Sequence, residues 1–249
     1  MKKFKFLCCI LVIAFVATAC SGNKDTKSDE ALPRAVTTKE AQLLSHVLYE
    51  NNLIKNATFS ITSGGTNQGS FRARGKVEWD SNTVALDVSL DSSQDVDIRS
   101  ITTAETVFET YVNFAEELRA AGMEERTWVK RNFDATTYGI DALALFIIKL
   151  ATTAPDNPVL IKQNGAQFLG TETVAGQETL KLTTAGSITY YINEEGELLK
   201  VVAPVKGFAN DISIVFSDRG NTTIAIPDDS DAYAQSEVSS FFAVTRPPF

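Results

Sequence analysis

From Ala57 onward apolar residues recur at every second position for some fifty residues, a pattern that strands of one half-buried sheet satisfy and helices do not. Ala57, Phe59 and Ile61 alternate with polar neighbours, and Phe71, Ala73, Gly75, Val77 and Trp79 do the same before the turn Asp80-Ser81-Asn82. Val84, Leu86, Val88 and Leu90 return, with Ala85, Asp87, Ser89 and Asp91 on the other face. The spacing predicts an antiparallel meander, dry on one side and wet on the other. Val96 and Ile98 open a further strand, Thr106 to Val112 another, and Trp128 to Lys130 completes or extends it.

The later half repeats the theme. Gln167–Val174 and Glu178–Thr184 flank Ala175-Gly176-Gln177, while Ser187–Asn193 and Glu197–Ala203 flank the Gly-bearing loop Glu194-Glu195-Gly196. Ile212, Ile214 and Phe216 alternate before the turn Asp218-Arg219-Gly220-Asn221, which leads to Ile224 and Ile226. Helices interrupt the strands. Thr37-Thr38-Lys39-Glu40 has capping-box spacing, and Leu44, Val47, Leu48 and Ile54 follow near a 3.6-residue period. Ile140–Leu150 is apolar nearly all round, so it packs on the sheet and needs a second apolar partner. Pro155 and Pro158 end it and permit a short helix over Asn157–Gln163. Asn113–Glu125 fits either a short surface helix or lid, or a long decorated hairpin loop. Asp228–Phe249, which starts acidic and ends Arg-Pro-Pro-Phe, is expected as a poorly ordered tail.

The N-terminus bears on location. Lys2, Lys3 and Lys5 precede the apolar or small run Phe6–Ala19, fourteen residues where a membrane span needs about 20. The segment therefore predicts a signal peptide over residues 1–19. Ala17, Thr18 and Ala19 lead into Cys20, an arrangement similar to the bacterial lipobox, in which the cysteine is diacylglycerated and anchors the mature chain. An ordinary signal peptide with Cys20 near the cut by chance is the other reading. Removing residues 1–19 takes three lysines and no acid, moving the formal charge from −8 to −11. Nucleic-acid binding, which needs clustered Lys and Arg, is disfavoured. Cys8 and Cys9 would leave with the signal, so the body has no thiol pair for a disulfide or a Cys-based metal site. Residues 20–37 form the lipidated cysteine and a flexible tether, 38–228 one folded domain and 229–249 the tail.

Enzyme signatures are weak. His46 is the one histidine, so a Ser-His-Asp or Cys-His site could be built nowhere else, and there is no G-x-S-x-G elbow, P-loop or zinc spacing. No catalytic residue, metal or cofactor is assigned, and His46 is read as a structural or solvated side chain.

The order of parts and three phrases, Gly170-Thr-Glu-Thr-Val-Ala-Gly176, Tyr190-Tyr-Ile-Asn-Glu-Glu-Gly196 and Ile212-Ser-Ile-Val-Phe-Ser-Asp218, resemble the LppX/LprA/LprF/LprG group of actinobacterial lipoproteins, which share a fold with the carrier LolA. The resemblance covers roughly residues 38–228. It implies an α+β fold, a curved antiparallel β half-barrel closed by α-helices, with an apolar cavity for the acyl chains of a lipid or glycolipid. The implied partners are that ligand, the membrane through the acylated cysteine, and an envelope transporter. The Asn113–Glu125 segment and the Arg246-Pro-Pro-Phe249 end depart from the family pattern. Placed on the cavity are Phe59, Ile61, Phe71, Leu86, Val88, Ile98, Leu143, Phe146, Ile147, Ile214 and Phe216, and Cys20 is the lipid anchor. The alternative is an envelope interaction or scaffold module with the same residues packed as a filled core.

Overall fold

The computed structural model describes residues 33–63, 71–90 and 97–239; the signal segment, Cys20, Val96 and residues 240–249 lie outside them. Among the described residues, five α-helices, α1 (Thr38–Ile54), α2 (Phe114–Ala120), α3 (Gly139–Ile148), α4 (Pro158–Gln163) and α5 (Gln235–Val238), accompany thirteen strands. The strands are β1 (Arg34–Ala35), β2 (Asn56–Ser63), β3 (Phe71–Glu78), β4 (Thr83–Leu90), β5 (Ile98–Thr102), β6 (Thr106–Tyr111) and β7 (Trp128–Asn132). They continue as β8 (Gln167–Val174), β9 (Gln177–Thr183), β10 (Thr189–Ile192), β11 (Leu198–Ala203), β12 (Ile212–Ser217) and β13 (Ala232–Ala234). Among the described residues no helix is long and apolar enough to cross a membrane.

All the strands join one sheet in the order β1-β8-β9-β10-β11-β12-β2-β3-β4-β5-β6-β7-β13, antiparallel except where β13 runs parallel to β7. The two strand sets meet at β12 and β2, where Ile214 pairs with Ile61 and Phe216 with Phe59. One inner row crosses the sheet through Phe168, Leu182, Tyr190, Val201, Ile214, Ile61, Ala73, Val88, Ile98 and Tyr111. Laid flat at strand spacing, thirteen strands would be about 58 Å wide. Leu182 on β9 and Ile98 on β5 nevertheless belong to one contiguous apolar cluster with α1 and α3, so the sheet curls around the helices. Its edges are the two-residue β1 and the three-residue β13, too short to template another chain.

Gly75 permits part of that curl. A Cβ there would lie 2.2 Å from the Ala85 carbonyl oxygen and 2.6 Å from the Phe59 ring, so only hydrogen fits between the Phe59 ring and the neighbouring strand. The ring covers the gap the glycine leaves.

The first helix forms as its sequence directs. Thr37 Oγ1 accepts from the Glu40 amide and Glu40 accepts in return from the Thr37 amide, completing the capping box. Arg34 clasps the same carboxylate at 2.6 Å, and this hydrogen bond foremost holds the Glu40 pKa below the usual carboxylate value. His46 is exposed, beside Ser45 Oγ and the Gln42 carbonyl.

Two expectations need correction. The folded body starts before residue 38, because β1 pairs with β8 and Val36 is buried, its amide bonded to the Ala166 carbonyl at 3.2 Å. Asp229–Ser239 is no loose tail: a 3-10 turn (Asp229–Asp231), β13 and α5 follow one another, with Tyr233 and Val238 buried. Polar composition conceals both, since a short edge strand needs only backbone partners. Ile224 and Ile226, between β12 and the Asp229–Asp231 turn, belong to no strand. Both edges of β2 and of β3 are taken, so residues 221–226 cross the outer face instead, with the Thr222 and Ile224 amides donating to Asn56 Oδ1 and Glu78 Oε1 at 2.9 and 2.7 Å. Asn113–Glu125 takes its helical alternative over Phe114–Ala120, where Phe114 and Leu118 pack with Val129, Tyr233 and Val238 in a second small core.

Gly75→Ala is expected to lower stability by at least about 1–3 kcal/mol, the usual cost of overpacking. Urea unfolding measures it, and a midpoint equal to that of the parent would show that the bend has room for a Cβ.

Candidate functional site

The eleven side chains placed on the cavity do converge. Phe59, Ile61, Phe71, Leu86, Val88, Ile98, Leu143, Ile147, Ile214 and Phe216 are buried in a single cluster, against which the half-buried Phe146 packs. Phe216 meets Phe59 edge-on at 6.2 Å between ring centroids and Trp79 at 6.0 Å. Cys20 lies outside the described residues.

Helix α3 runs along the inside of the curl, and its two ends are held differently. At the C-terminal end, the Trp79 indole N–H donates to the Ile147 carbonyl at 3.0 Å, and Asn51 Nδ2 donates to that of Leu150 at 2.6 Å. Arg219 ties this corner further by donating to Asn51 Oδ1 and to the Leu198 carbonyl, and burial pulls its pKa down. The bond from Asn51 satisfies a carbonyl just past the helix end, and that from Trp79 is a second bond to the Ile147 carbonyl, which also accepts from the Leu150 amide at 3.1 Å.

At the start of α3 the inner face turns polar, which alternation alone does not reveal. Ser100 lies across from Leu86 and Glu109, and Thr102 across from Val84 and Val107, whose other neighbour is Arg131. Arg131 is sandwiched: Nη2 and Nε donate to Glu109 at 2.5 and 3.0 Å, and Nη2 and Nη1 donate to Asp141 of α3, both at 2.7 Å. The Asp134 amide also donates to Asp141, at 2.7 Å, and the Tyr138 ring lies 4.1 Å from the guanidinium. Burial pulls the Arg131 pKa down, but its bonds to Asp141 and Glu109 outweigh that and leave it above the usual arginine value. One hint of this stands in the sequence: Asp141 is the lone acid of an otherwise apolar helix.

Ser100 and Thr102 are fully buried beside this triad, and neither hydroxyl has a hydrogen-bond partner among the described residues. The apolar cluster therefore has a polar patch with unfilled hydrogen-bonding capacity. Around it, α3 is not completely covered: Ala142, Leu145, Phe146 and Ile148 are only half-buried. The neighbouring rim carries Phe71 against the half-buried Phe208, 5.1 Å apart, and Gly207 close over Gly139 at the first residue of α3. Chemically, such a combination suits an amphiphile with an apolar chain and a group able to hydrogen-bond.

A separate groove of about 680 Å³ lies on the outer face of β2–β5. Its floor bears Thr58, Ser60, Arg74, Lys76, Asp87 and Arg99, and residues 223–225 wall it, Lys76 Nζ donating to the Thr223 carbonyl at 3.2 Å. Asp87 accepts from Arg99 at 2.8 Å. Phe59 and Leu86 border it too, although their side chains belong to the core on the other face. Alternation identifies these outward residues as a wet face but cannot show that the crossing segment walls them in.

No family model matches the chain, and no curated protein matches it. Among solved structures it is similar to an uncharacterized conserved protein from Thermus thermophilus, with 12% identity and a TM-score of 0.41 over 79% of this chain and 99% of that one. It is also similar to MucB, with 13% identity and a TM-score of 0.33 over 78% of this chain; the match spans 61% of MucB.

The triad generates a stability test. Arg131→Met strands two buried carboxylates and is expected to cost about 3–5 kcal/mol in urea unfolding. Replacing all three members with apolar residues should recover most of that loss; a triple variant no more stable than the single one would mean that the fold needs the charges themselves.

Proposed function

We propose that this chain is an extracytoplasmic lipoprotein of the LppX/LprG kind, anchored to a membrane through acylated Cys20. In this reading it binds the acyl chains of a lipid or glycolipid between the inner face of the sheet and α3, and carries them within the cell envelope toward a transporter. The carrying observation is the pair Ser100 and Thr102, fully buried without a protein partner among the described residues on an otherwise apolar face. Leaving a buried hydroxyl unpaired costs about 1–3 kcal/mol, and a filled core has no reason to bear that twice on successive inner positions of one strand. A ligand with an apolar chain and a hydrogen-bonding head removes the cost. The partly covered apolar face of α3 supports the same reading.

The test is native mass spectrometry of the full chain purified from its own membrane. Lipid should co-purify, and Ser100→Ala with Thr102→Val should reduce it while leaving the melting temperature equal or higher. Val88→Trp or Leu143→Trp should also remove lipid. If no preparation ever carries lipid, and the Trp variants lose the roughly 1–3 kcal/mol expected of an overfilled core, the interior is an ordinary core and the interaction-module alternative stands.

The anchor is tested separately. Cys20→Ala should yield soluble protein or uncut precursor, since each buried CH₂ of the missing chains contributes about 0.8 kcal/mol to membrane partition. Equal membrane partition of variant and parent would overturn it.

A further inference from the structure

Helix α4 is fixed in place yet buries none of its residues. Asn157 caps it, accepting from the Val159 amide at 2.9 Å, and Pro158 occupies its first turn. The preceding link is stitched to α1, with the Thr152 amide donating to the Leu48 carbonyl at 3.0 Å and that of Asp156 to the Ser45 carbonyl at 2.8 Å. Lys162 Nζ adds a bond to Thr38 Oγ1 at 3.2 Å. Ile161 packs partly against the core, but Val159 and Leu160 are 59% and 53% exposed, with Ala154 and Pro155 exposed before them. Scattered exposed apolar residues are ordinary; here an adjacent pair stands uncovered on a helix that is held in place through its cap, its link to α1 and Ile161.

Its place in the fold says which partner. Immediately after α4 the chain enters β8, and there it meets the first described strand: the Ile161 carbonyl accepts from Ala166, the Ala166 carbonyl accepts from Val36, and Arg34 pairs with Phe168. The polypeptide from Cys20 therefore joins the body beside α4. Fourteen residue steps separate Cys20 from Arg34, a covalent reach of at most about 50 Å. An acylated Cys20 would thus keep the entry point of the chain, and α4 beside it, within that reach of lipid. Lys162, exposed two residues after Leu160, can keep its charge at headgroup level.

We propose that Val159 and Leu160 dock α4 on the surface of the bilayer that holds Cys20, so that the α1–α4 side of the body faces the membrane. This rests on the lipid-anchor reading above and adds the orientation it does not supply.

The full acylated chain, reconstituted into phosphatidylethanolamine and phosphatidylglycerol vesicles with brominated acyl chains, tests it. A fluorophore is placed on Gln163→Cys, an exposed position that leaves the apolar pair intact. The comparison position is Asp80→Cys, exposed on the β3–β4 turn beside the far end of α1, about 25 Å along that helix. Docking requires bromine quenching at position 163 and not at 80, lost in Val159→Asp/Leu160→Asp while melting temperature and vesicle flotation persist. Equal quenching at both positions, or quenching that survives the double substitution, overturns the docking and leaves the anchor standing. A parent chain that does not float with the vesicles overturns the anchor reading, and the docking with it.

Discussion

Enclosing α3 is the constraint on which the rest of this structure depends. The helix is apolar on nearly every side, so packing on a flat sheet would leave half of it against water. The sheet instead curls until strands seven apart in its order contribute to one cluster around the helix. Curling needs a place where two strands and a ring can approach more closely than side chains allow, and Gly75 with Phe59 supplies one. It also needs the helix to be fixed in rotation and height. Trp79 and Asn51 bind its last carbonyls, and Arg131 holds Asp141 near its start.

The same curl explains why a charged triad sits inside. Strands β6 and β7 carry apolar residues on both faces, Val107 and Val129 inward and Phe108 and Trp128 outward, because the C-terminal segment packs on them. Glu109 and Arg131 share the inner face with those valines. Alone, either would be costly to bury; they pair with each other, and Asp141 from α3 together with the Asn132 carbonyl brings all five guanidinium N–H donors into use, leaving one formal negative charge on the group. The triad thereby marks where helix and sheet must meet. Ser100 and Thr102 next to it stand outside this accounting, which distinguishes the patch from a self-sufficient polar network.

Each end of the described chain adds an edge strand, and each end is tied to a further element. β1 brings the chain from Cys20 to the flank of α4, while β13 follows a segment that walls the outer groove and closes a second core with α2. Arg34–Val36 and Asp229–Ser239, which read as tether and tail by composition, are therefore structural parts, not appendages.

Local patterns in the sequence determined most of the elements. Alternation placed β2 to β4 and the inward positions Phe59, Ile61, Leu86 and Val88; the capping box placed α1; and Pro158 after Asn157 placed α4. These features are legible because each depends on residues a few positions apart. No short-range period encodes the curl of the sheet. Only the tertiary structure decided that Arg34–Val36 and Asp229–Ser239 belong to the body, and that Glu109, Arg131 and Asp141 meet. It alone set Ser100 and Thr102 without partners among the described residues and left Val159 and Leu160 uncovered beside the point where the chain enters. Burial of a polar group and exposure of an apolar one are both set by what distant strands and helices bring against them, and a residue's own neighbours in sequence carry no record of that.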